Sequence, residues 1–195
     1  PDRRGRGASG DGDDYDLDRE VDDLQAIVDA IDGDPVVVVA HSFGGLVALA
    51  AAPSLDIRRL ILYEPAVTVG DGADPPLSAQ VQSLATDGSE TEAMRLFFEA
   101  GSGIPDVTAM PWWPEQINMG WIDTVIRELE AVEAFALPTL DFETPTLLLI
   151  GEHGPEHLAA GARAVDDAHE QSRLIEIDGV GHLGLLSEPE HVAEL

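Results

Sequence analysis

The sequence predicts an α/β protein that has a mostly parallel sheet with flanking helices and a helical insertion. Three short, strongly apolar stretches are typical of strands buried in a parallel sheet, at residues 36–39, 57–63 and 144–150. Segments with helical spacing follow them on short connections, which is the chain order of a parallel α/β sheet. Residues 70–140 break this alternation. We therefore predict a sheet domain at residues 1–69 and 141–195, with residues 70–140 as a helical cap over the sheet.

The first third of the chain is predicted from local patterns. Three glycines among the first ten residues indicate a tight loop. Apolar residues at helical spacing predict a helix over residues 17–31. The four consecutive valines at 36–39 predict a strand that is buried on both faces, in the middle of the sheet. A helix over residues 46–52 and a strand over residues 57–63 complete this part.

The middle of the chain is predicted to be helical and the end returns to the sheet. Glycine, aspartate and proline indicate a loop at residues 70–76, before short helices at 77–85, 91–100 and 121–135. The aromatic residues of this segment either pack it onto the body of the protein or, in the case of Trp112 and Trp113, line a substrate site. The remaining predicted elements are a strand at 144–150, a helix at 156–169, a strand at 173–177 and a helix from about residue 188.

The composition is strongly acidic and excludes several classes of partner. The chain has 195 residues, with 38 acidic and 10 basic side chains and a formal net charge of −28, and every basic residue is Arg. The acidic residues are spread along the chain, which suits a protein kept soluble in concentrated salt, where self-repulsion is screened. We therefore expect a halophile-like protein, or else a very acidic cytosolic one. Nucleic acid and anionic membranes are excluded as partners.

The absence of cysteine and of long apolar runs limits the compartment and the chemistry. With no Cys, the chain has neither disulfides nor Cys-ligated metals. No apolar run approaches the length of a membrane span, and no signal peptide is visible. We expect a cytoplasmic protein that needs no metal or organic cofactor.

Ser42 lies between the valine strand and the following helix and is the candidate nucleophile. Ala40, Gly44 and Gly45 are small enough for the chain to fold back sharply around it. This strand–turn–helix sequence matches the G-x-S-x-G nucleophile elbow, with Ala40 in place of the first glycine. The alternative is an ordinary serine that caps the helix N-terminus.

His182 is the candidate base, because a serine hydroxyl needs one in order to act as a nucleophile. It follows the last predicted strand in a glycine-rich loop that can bring the ring over the same edge of the sheet. His153 and His157, after the neighbouring strand, are the fallback bases. A purely structural role for His182 is the other alternative.

Together these stretches resemble the α/β-hydrolase superfamily. The resemblance covers five segments in the family's order, namely the loop at residues 2–9, the elbow around Ser42, residues 62–65, residues 147–151 and the pair Gly181–His182. It implies the α/β-hydrolase fold and a triad of Ser, acid and His in that chain order. The backbone N–H of Phe43, beside Gly44 in the elbow, would then supply one donor of the oxyanion hole.

The resemblance leaves the acid of the triad open between two glutamates. Most similar proteins carry an Asp three residues after the glycine that ends the penultimate strand, and here that position is Gly154. Glu64 matches relatives such as haloalkane dehalogenases, which carry the acid at the end of the strand after the elbow. Glu152, on the usual strand but shifted along the loop, is the second candidate.

The resemblance also implies further strands before residue 1, and the second donor of the oxyanion hole is expected to come from a loop after one of them. We therefore expect an N-terminally incomplete hydrolase, or one that a partner completes. The sheet edge left unpaired by missing strands favours pairing with another chain, so a homodimer is open.

Two functions from different classes follow. The first is a serine hydrolase that acts on a carboxylic ester or related small acyl substrate through an acyl-enzyme, with Ser42, His182 and Glu64 as its triad. The second is a ligand-binding or receptor-like protein that keeps the fold without turnover. Ser at the nucleophile position argues against dehalogenase or epoxide-hydrolase chemistry, because those relatives use Asp there.

Overall fold

Four parallel strands form one sheet in the computed structural model, which describes residues 2–12, 14–33, 35–70 and 74–193. The strands are β1 (Val36–His41), β2 (Ile57–Tyr63), β3 (Thr146–Gly151) and β4 (Ser172–Ile177), and they lie in the order β1-β2-β3-β4. Every neighbouring pair is parallel. The carboxyl ends of all four strands therefore meet at one edge of the sheet, and this confirms the predicted fold class.

Eight α-helices accompany the strands in the described part of the chain. They are α1 (Leu17–Asp29), α2 (Phe43–Ala51), α3 (Leu77–Thr86), α4 (Glu90–Ser102), α5 (Ile122–Ala134), α6 (Glu156–Ala168), α7 (Gly184–Ser187) and α8 (Pro189–Ala193). Most lie where the apolar spacing predicts them. Two differences concern the site: α2 begins at Phe43, three residues earlier than predicted, and α7 was not predicted. None of the helices described is long and apolar enough to cross a membrane.

The strand β1 is less buried than its sequence predicts. Its only partner within the described residues is β2, so it lies at an edge of the four-stranded sheet. Val37 is 45% exposed and Val39 is 59% exposed. The prediction that the valines are buried on both faces in the middle of the sheet is therefore wrong: β1 lies at the edge among the described strands, and Val37 and Val39, which project from the same face of β1, are exposed. Among the strand residues, those with no exposed surface lie in β2 and β3, namely Leu60, Leu62, Tyr63 and Leu148.

The chain divides into two compact units. One contains residues 1–15 and 70–134, and the other contains residues 16–69 and 135–195. The first unit thus joins the helical segment to the first fifteen residues, and the second contains all four strands. The domain boundaries themselves stay a prediction. Residues 71–73 of the predicted loop at 70–76 lie outside the described residues.

The helical unit has its own apolar core and its own buried charge. Helices α3, α4 and α5 pack around Val81, Met94 and Val125, which are all buried. Arg3 and Arg6, from the N-terminal loop, form ion pairs with Glu128 of α5. The predicted tight loop is confirmed as a series of turns, and these ion pairs fasten it to α5.

The sheet unit carries the elbow, the last strands and the loops between them. The helices α2 and α6 pack on the strands, and glycines allow close approaches at two places. A Cβ at Gly45 would lie 2.9 Å from Pro65, and one at Gly161 would lie 1.9 Å from the carbonyl oxygen of Val67. Close packing against the segment that follows β2 therefore positions the residue at the end of that strand, Glu64.

Candidate active site

Ser42 lies at the corner between β1 and α2 in a backbone conformation that side chains rarely adopt. Its φ is 54° and its ψ is −123°, and a positive φ in a residue other than glycine is strained. Hydrogen bonds hold the corner in place: the Ser42 N–H donates to the carbonyl of Tyr63 at 3.1 Å, and the Ser42 carbonyl accepts from the N–H of Ala66 at 2.9 Å. The Ser42 hydroxyl does not cap α2, as the ordinary N-cap alternative requires.

The ring of His182 lies between Ser42 and Glu64. Its Nε2 is 3.1 Å from the Oγ of Ser42, and its Nδ1 is 2.6 Å from the Oε2 of Glu64. The side chain of His182 is 4% exposed. Because a carboxylate only accepts hydrogen bonds, Nδ1 carries the proton and donates to Glu64. Nε2 is then left as the acceptor for the hydroxyl of Ser42.

Glu64 follows β2 directly and is completely buried. It also has a positive φ, 42°, and its N–H donates to the carbonyl of Leu149 at 2.9 Å. Oε1 accepts from the N–H of Gly151 at 2.9 Å, and Oε2 accepts from His182. Burying a carboxylate is costly unless both oxygens are hydrogen-bonded, and both are. The carboxylate is therefore held in one orientation.

The space that Glu64 occupies explains the glycine at position 154. A Cβ at Gly154 would lie 1.8 Å from the Oε1 of Glu64, much closer than two atoms can approach without a shift. A side chain at position 154, where the family resemblance leads us to expect an Asp, is thus incompatible with this placement of Glu64. Glu152 takes part in a different interaction: its side chain is 49% exposed, and its Oε2 accepts from the N–H of Gly179 at 2.8 Å.

Two residues that sequence reasoning did not assign to the site contact the backbone of the His182 loop. The Nε2 of His41 is 2.8 Å from the carbonyl oxygen of His182, and the hydroxyl of Tyr63 donates to the carbonyl of Gly181 at 2.6 Å. His41 and Tyr63 are register partners on β1 and β2. They directly precede Ser42 and Glu64, and this position was the one signal in the sequence that could have drawn attention to them.

Burial shifts the pKa of both residues away from the physiological range. The pKa of His41 is lowered to about 4, mainly by burial and next by the nearby His182. The pKa of Tyr63 is raised to about 12, mainly by burial and next by the charge of Glu64. Each cause disfavours the charged form of the side chain. His41 is therefore neutral and Tyr63 protonated at neutral pH.

The fallback bases His153 and His157 lie in the loop after β3 and on α6. The side chain of His153 is 66% exposed and lies 4.0 Å from Glu152, and burial lowers the pKa of His157 on α6. Trp112 and Trp113 belong to the helical unit, where their rings lie 5.4 and 6.3 Å from that of Phe98. A substrate-lining role for them stays a prediction.

Phe43 and Gly44 are the first two residues of α2, at its electropositive N-terminus. Their backbone N–H groups are the right kind of donor for an oxyanion, and this role also stays a prediction. Among the residues that the structure describes, no cluster of three or more His, Asp or Glu side chains is suited to hold a metal ion.

A family model and solved structures both match this chain to alpha/beta hydrolases. The family described as "Alpha/beta hydrolase family" matches residues 1–195, the whole chain. Among solved structures, an alpha/beta hydrolase from Sphaerobacter thermophilus is 30% identical with a TM-score of 0.80, and the match covers 99% of this chain and 77% of that one. An esterase from Exiguobacterium antarcticum is 18% identical with a TM-score of 0.73, covering 99% and 77%, and it shares the fold.

The curated relative is similar over a shorter stretch. Lipase LipV from Mycobacterium tuberculosis is 44% identical over 75 residues. That match covers 37% of this chain and 28% of the lipase. The chain thus matches less than a third of the length of this relative.

Proposed function

Because the chain belongs to the alpha/beta hydrolase family, we propose that it is a serine hydrolase that cleaves carboxylic esters or related acyl substrates. One observation carries the proposal, namely the continuous contact from Ser42 through His182 to Glu64, at 3.1 and 2.6 Å. All three side chains come from adjacent strand ends or from the loop after β4. The lipase and esterase among its relatives support an ester as the scissile bond.

In the first half of the reaction, Ser42 Oγ attacks the acyl carbonyl carbon while Nε2 of His182 takes the hydroxyl proton. The tetrahedral oxyanion that forms is stabilised by the backbone N–H of Phe43 at the N-terminus of α2. The C–O bond to the alcohol then breaks, and the alcohol leaves with the proton held on Nε2. The acyl group remains on Ser42 as an ester.

In the second half, water replaces the alcohol. Nε2 takes a proton from the water as its oxygen attacks the acyl carbon, and it returns the proton to Oγ of Ser42 as the acid product leaves. In both halves the imidazole becomes positively charged, and the buried carboxylate of Glu64 stabilises that charge through Nδ1. Glu64 is fixed by Gly151, so it does not have to reorient when the charge appears.

The proposal is tested by steady-state hydrolysis of p-nitrophenyl esters with acyl chains of increasing length, in buffer with molar potassium chloride. We expect turnover by the wild-type protein and its loss in Ser42→Ala. Ser54→Ala is the matched control, because Ser54 lies in the same unit and its hydroxyl donates to a backbone carbonyl outside the site. A folded wild-type protein that binds such esters without turning them over would favour the non-catalytic ligand-binding function.

A further inference from the structure

We propose that His41 and Tyr63 are positioning residues that fix the backbone on which His182 is carried, so that its ring reaches Ser42 and Glu64 together. The inference rests on the proposed function, since it gives these two residues a role in the same site. It adds to the three side chains of the proposed triad two strand residues, His41 and Tyr63, which directly precede Ser42 and Glu64.

The loop that carries His182 contains turns but no helix or strand, and the N–H of His153 donates to its Val180 carbonyl at 2.8 Å. It runs from the end of β4 at Ile177 to the start of α7 at Gly184, and it includes Gly179, with a φ of 73°, and Gly181. Glycine loses more conformational freedom on ordering than any other residue. A base on such a loop needs contacts from outside the loop in order to keep one position.

Two side chains supply contacts to consecutive carbonyls of that loop. Tyr63 donates to the carbonyl of Gly181 at 2.6 Å, and His41 donates through Nε2 to the carbonyl of His182 at 2.8 Å. Two bonds to neighbouring peptide units restrict both the translation and the rotation of the backbone at His182. Because His41 and Tyr63 are register partners on hydrogen-bonded strands, the sheet fixes the distance between the two donors.

Close packing around the two donors restricts the ring as well. The ring of His41 lies 4.4 Å from that of His182, tilted by 42°, and 5.6 Å from that of Tyr63. The hydroxyl of Tyr63 lies beside two glycines, since a Cβ would be 2.5 Å from it at Gly184 and 3.1 Å from it at Gly151. A side chain at either position would crowd the hydroxyl, so the two glycines leave the space that Tyr63 needs to reach the carbonyl of Gly181.

Both donors keep the protonation state that this role needs. His41 faces His182, Tyr63 and the charge of Glu64, and its lowered pKa of about 4 keeps it neutral, with a single ring proton for Nε2. The pKa of Tyr63, about 12, keeps its hydroxyl proton in place. The two bonds therefore persist while His182 itself gains and loses a proton.

The test compares His41→Leu, His41→Gln and Tyr63→Phe by the rate at which a fluorophosphonate labels Ser42 and by kcat and KM for an ester. Displacement of a catalytic group by about 1 Å costs up to about 100-fold in rate, so we expect His41→Leu and Tyr63→Phe to label about 10- to 100-fold more slowly, with kcat reduced and KM within about twofold. His41→Gln keeps a donor at the position of Nε2 and should recover most of the rate.

His169→Leu is the matched control. His169 is also buried, at 2% exposure, and its Nε2 contacts the carbonyl oxygen of Thr144 at 3.1 Å, in the same unit. We expect it to lower the melting temperature and leave the labelling rate within about twofold, because a bond outside the site does not place a reacting group. Equal losses of rate and stability in His41→Leu and His169→Leu would overturn the inference.

Proton NMR gives a readout that does not need turnover. The Nδ1 proton of His182, held between the ring and Glu64, should give a resolved downfield signal in the wild type and in His41→Gln. It should broaden in His41→Leu and in Tyr63→Phe. A signal unchanged in every variant would contradict the positioning role. Failure of the wild type itself to label or turn over esters would instead count against the proposed function.

Discussion

Glu64 and Glu128 are buried glutamates, one in each compact unit, and they have different kinds of partner. Glu64, at the edge of the sheet, is fully buried and contacts the ring of His182 and one backbone N–H. Glu128, in the helical unit, is 6% exposed and contacts the permanently charged Arg3 and Arg6. The two sites are alike in burial and different in the chemistry of the cation.

That difference separates a carboxylate suited to a reaction from one suited to structure. The charge of an arginine does not depend on a reaction at the site, so the ion pairs of Glu128 with Arg3 and Arg6 stabilise the fold. In the proposed reaction, the partner of Glu64 is a ring that becomes a cation when it takes a proton from Ser42 or from water. The stabilisation by Glu64 is therefore largest when the hydroxyl reacts, which is what lowers a barrier.

The largest effect is expected from replacing Glu64 itself. Glu64→Gln should lower kcat about 1,000- to 10,000-fold, because His182 then loses the carboxylate that orients it and stabilises its charge. Glu152→Gln is the matched control and should leave kcat within about twofold, since its side chain is 49% exposed and the amide oxygen of Gln can still accept from the N–H of Gly179. Steady-state kinetics of both variants decide the assignment, and the reverse pattern would make Glu152 the acid.

A second prediction exchanges the position of the acid. Gly154→Asp alone should lower kcat at least about 100-fold, because its Cβ would lie 1.8 Å from Oε1 of Glu64 and displace the carboxylate. Adding Glu64→Gly removes the clash and suits the positive φ at that position. The double variant should regain at least about tenfold in kcat over either single variant. If the double variant instead loses as much kcat as the two single variants multiplied together, the side chains at positions 64 and 154 do not compete for the same space.

For Glu128 we expect a loss of stability without a loss of reactivity at Ser42. Glu128→Gln should lower the free energy of unfolding by about 2 kcal/mol, less than for a fully buried pair because both arginines are partly exposed. We expect the labelling rate of Ser42 to stay within about twofold at temperatures where the variant is folded. Glu130→Gln, on the exposed side of the same helix, is the control and should change neither quantity. Denaturant melts measure the loss of stability, and labelling rates measure the reactivity of Ser42. If Glu128→Gln slowed labelling without lowering stability, Glu128 would not be a purely structural glutamate.

The smallest effect concerns stability as a function of pH. The pKa of His41 falls to about 4 on folding, from 6.5, so the unfolded chain binds more protons between these values and stability falls as the pH drops through that window. By this linkage His41 costs about 2 kcal/mol of stability between pH 7 and pH 5. Wild type and His41→Gln, melted in denaturant at both values, should differ by that amount. An identical pH dependence in the two proteins would show that His41 is not buried as a neutral ring.

Much of this arrangement can be predicted from the sequence, because it depends on chain order. The strands and most helices follow from apolar spacing, and Ser42, Glu64 and His182 each come after a strand of one parallel sheet. The carboxyl ends of such strands meet at one edge, so their proximity follows from topology. The missing side chain at Gly154 directed the prediction to Glu64, and the contact between that glycine and Glu64 gives the physical reason.

Other features depend on packing that leaves no pattern in the sequence. Val37 and Val39 are exposed on one face of β1, whereas four valines in a row are typical of a strand that is covered on both faces. The hydrogen bonds of His41 and Tyr63 are accepted by backbone carbonyls. Because every residue has a backbone carbonyl, no residue type in the sequence could have predicted these bonds. The salt tolerance suggested by the charge of −28 and the cytoplasmic location stay predictions.

The intact mass of the protein after exposure to a fluorophosphonate shows whether Ser42 is an activated nucleophile, when wild type, Ser42→Ala and Glu64→Gln are treated side by side. We expect a single adduct on the wild type, none on Ser42→Ala, and slow labelling of Glu64→Gln. A folded wild-type protein that gains no adduct, or an adduct that survives in Ser42→Ala, would contradict this expectation.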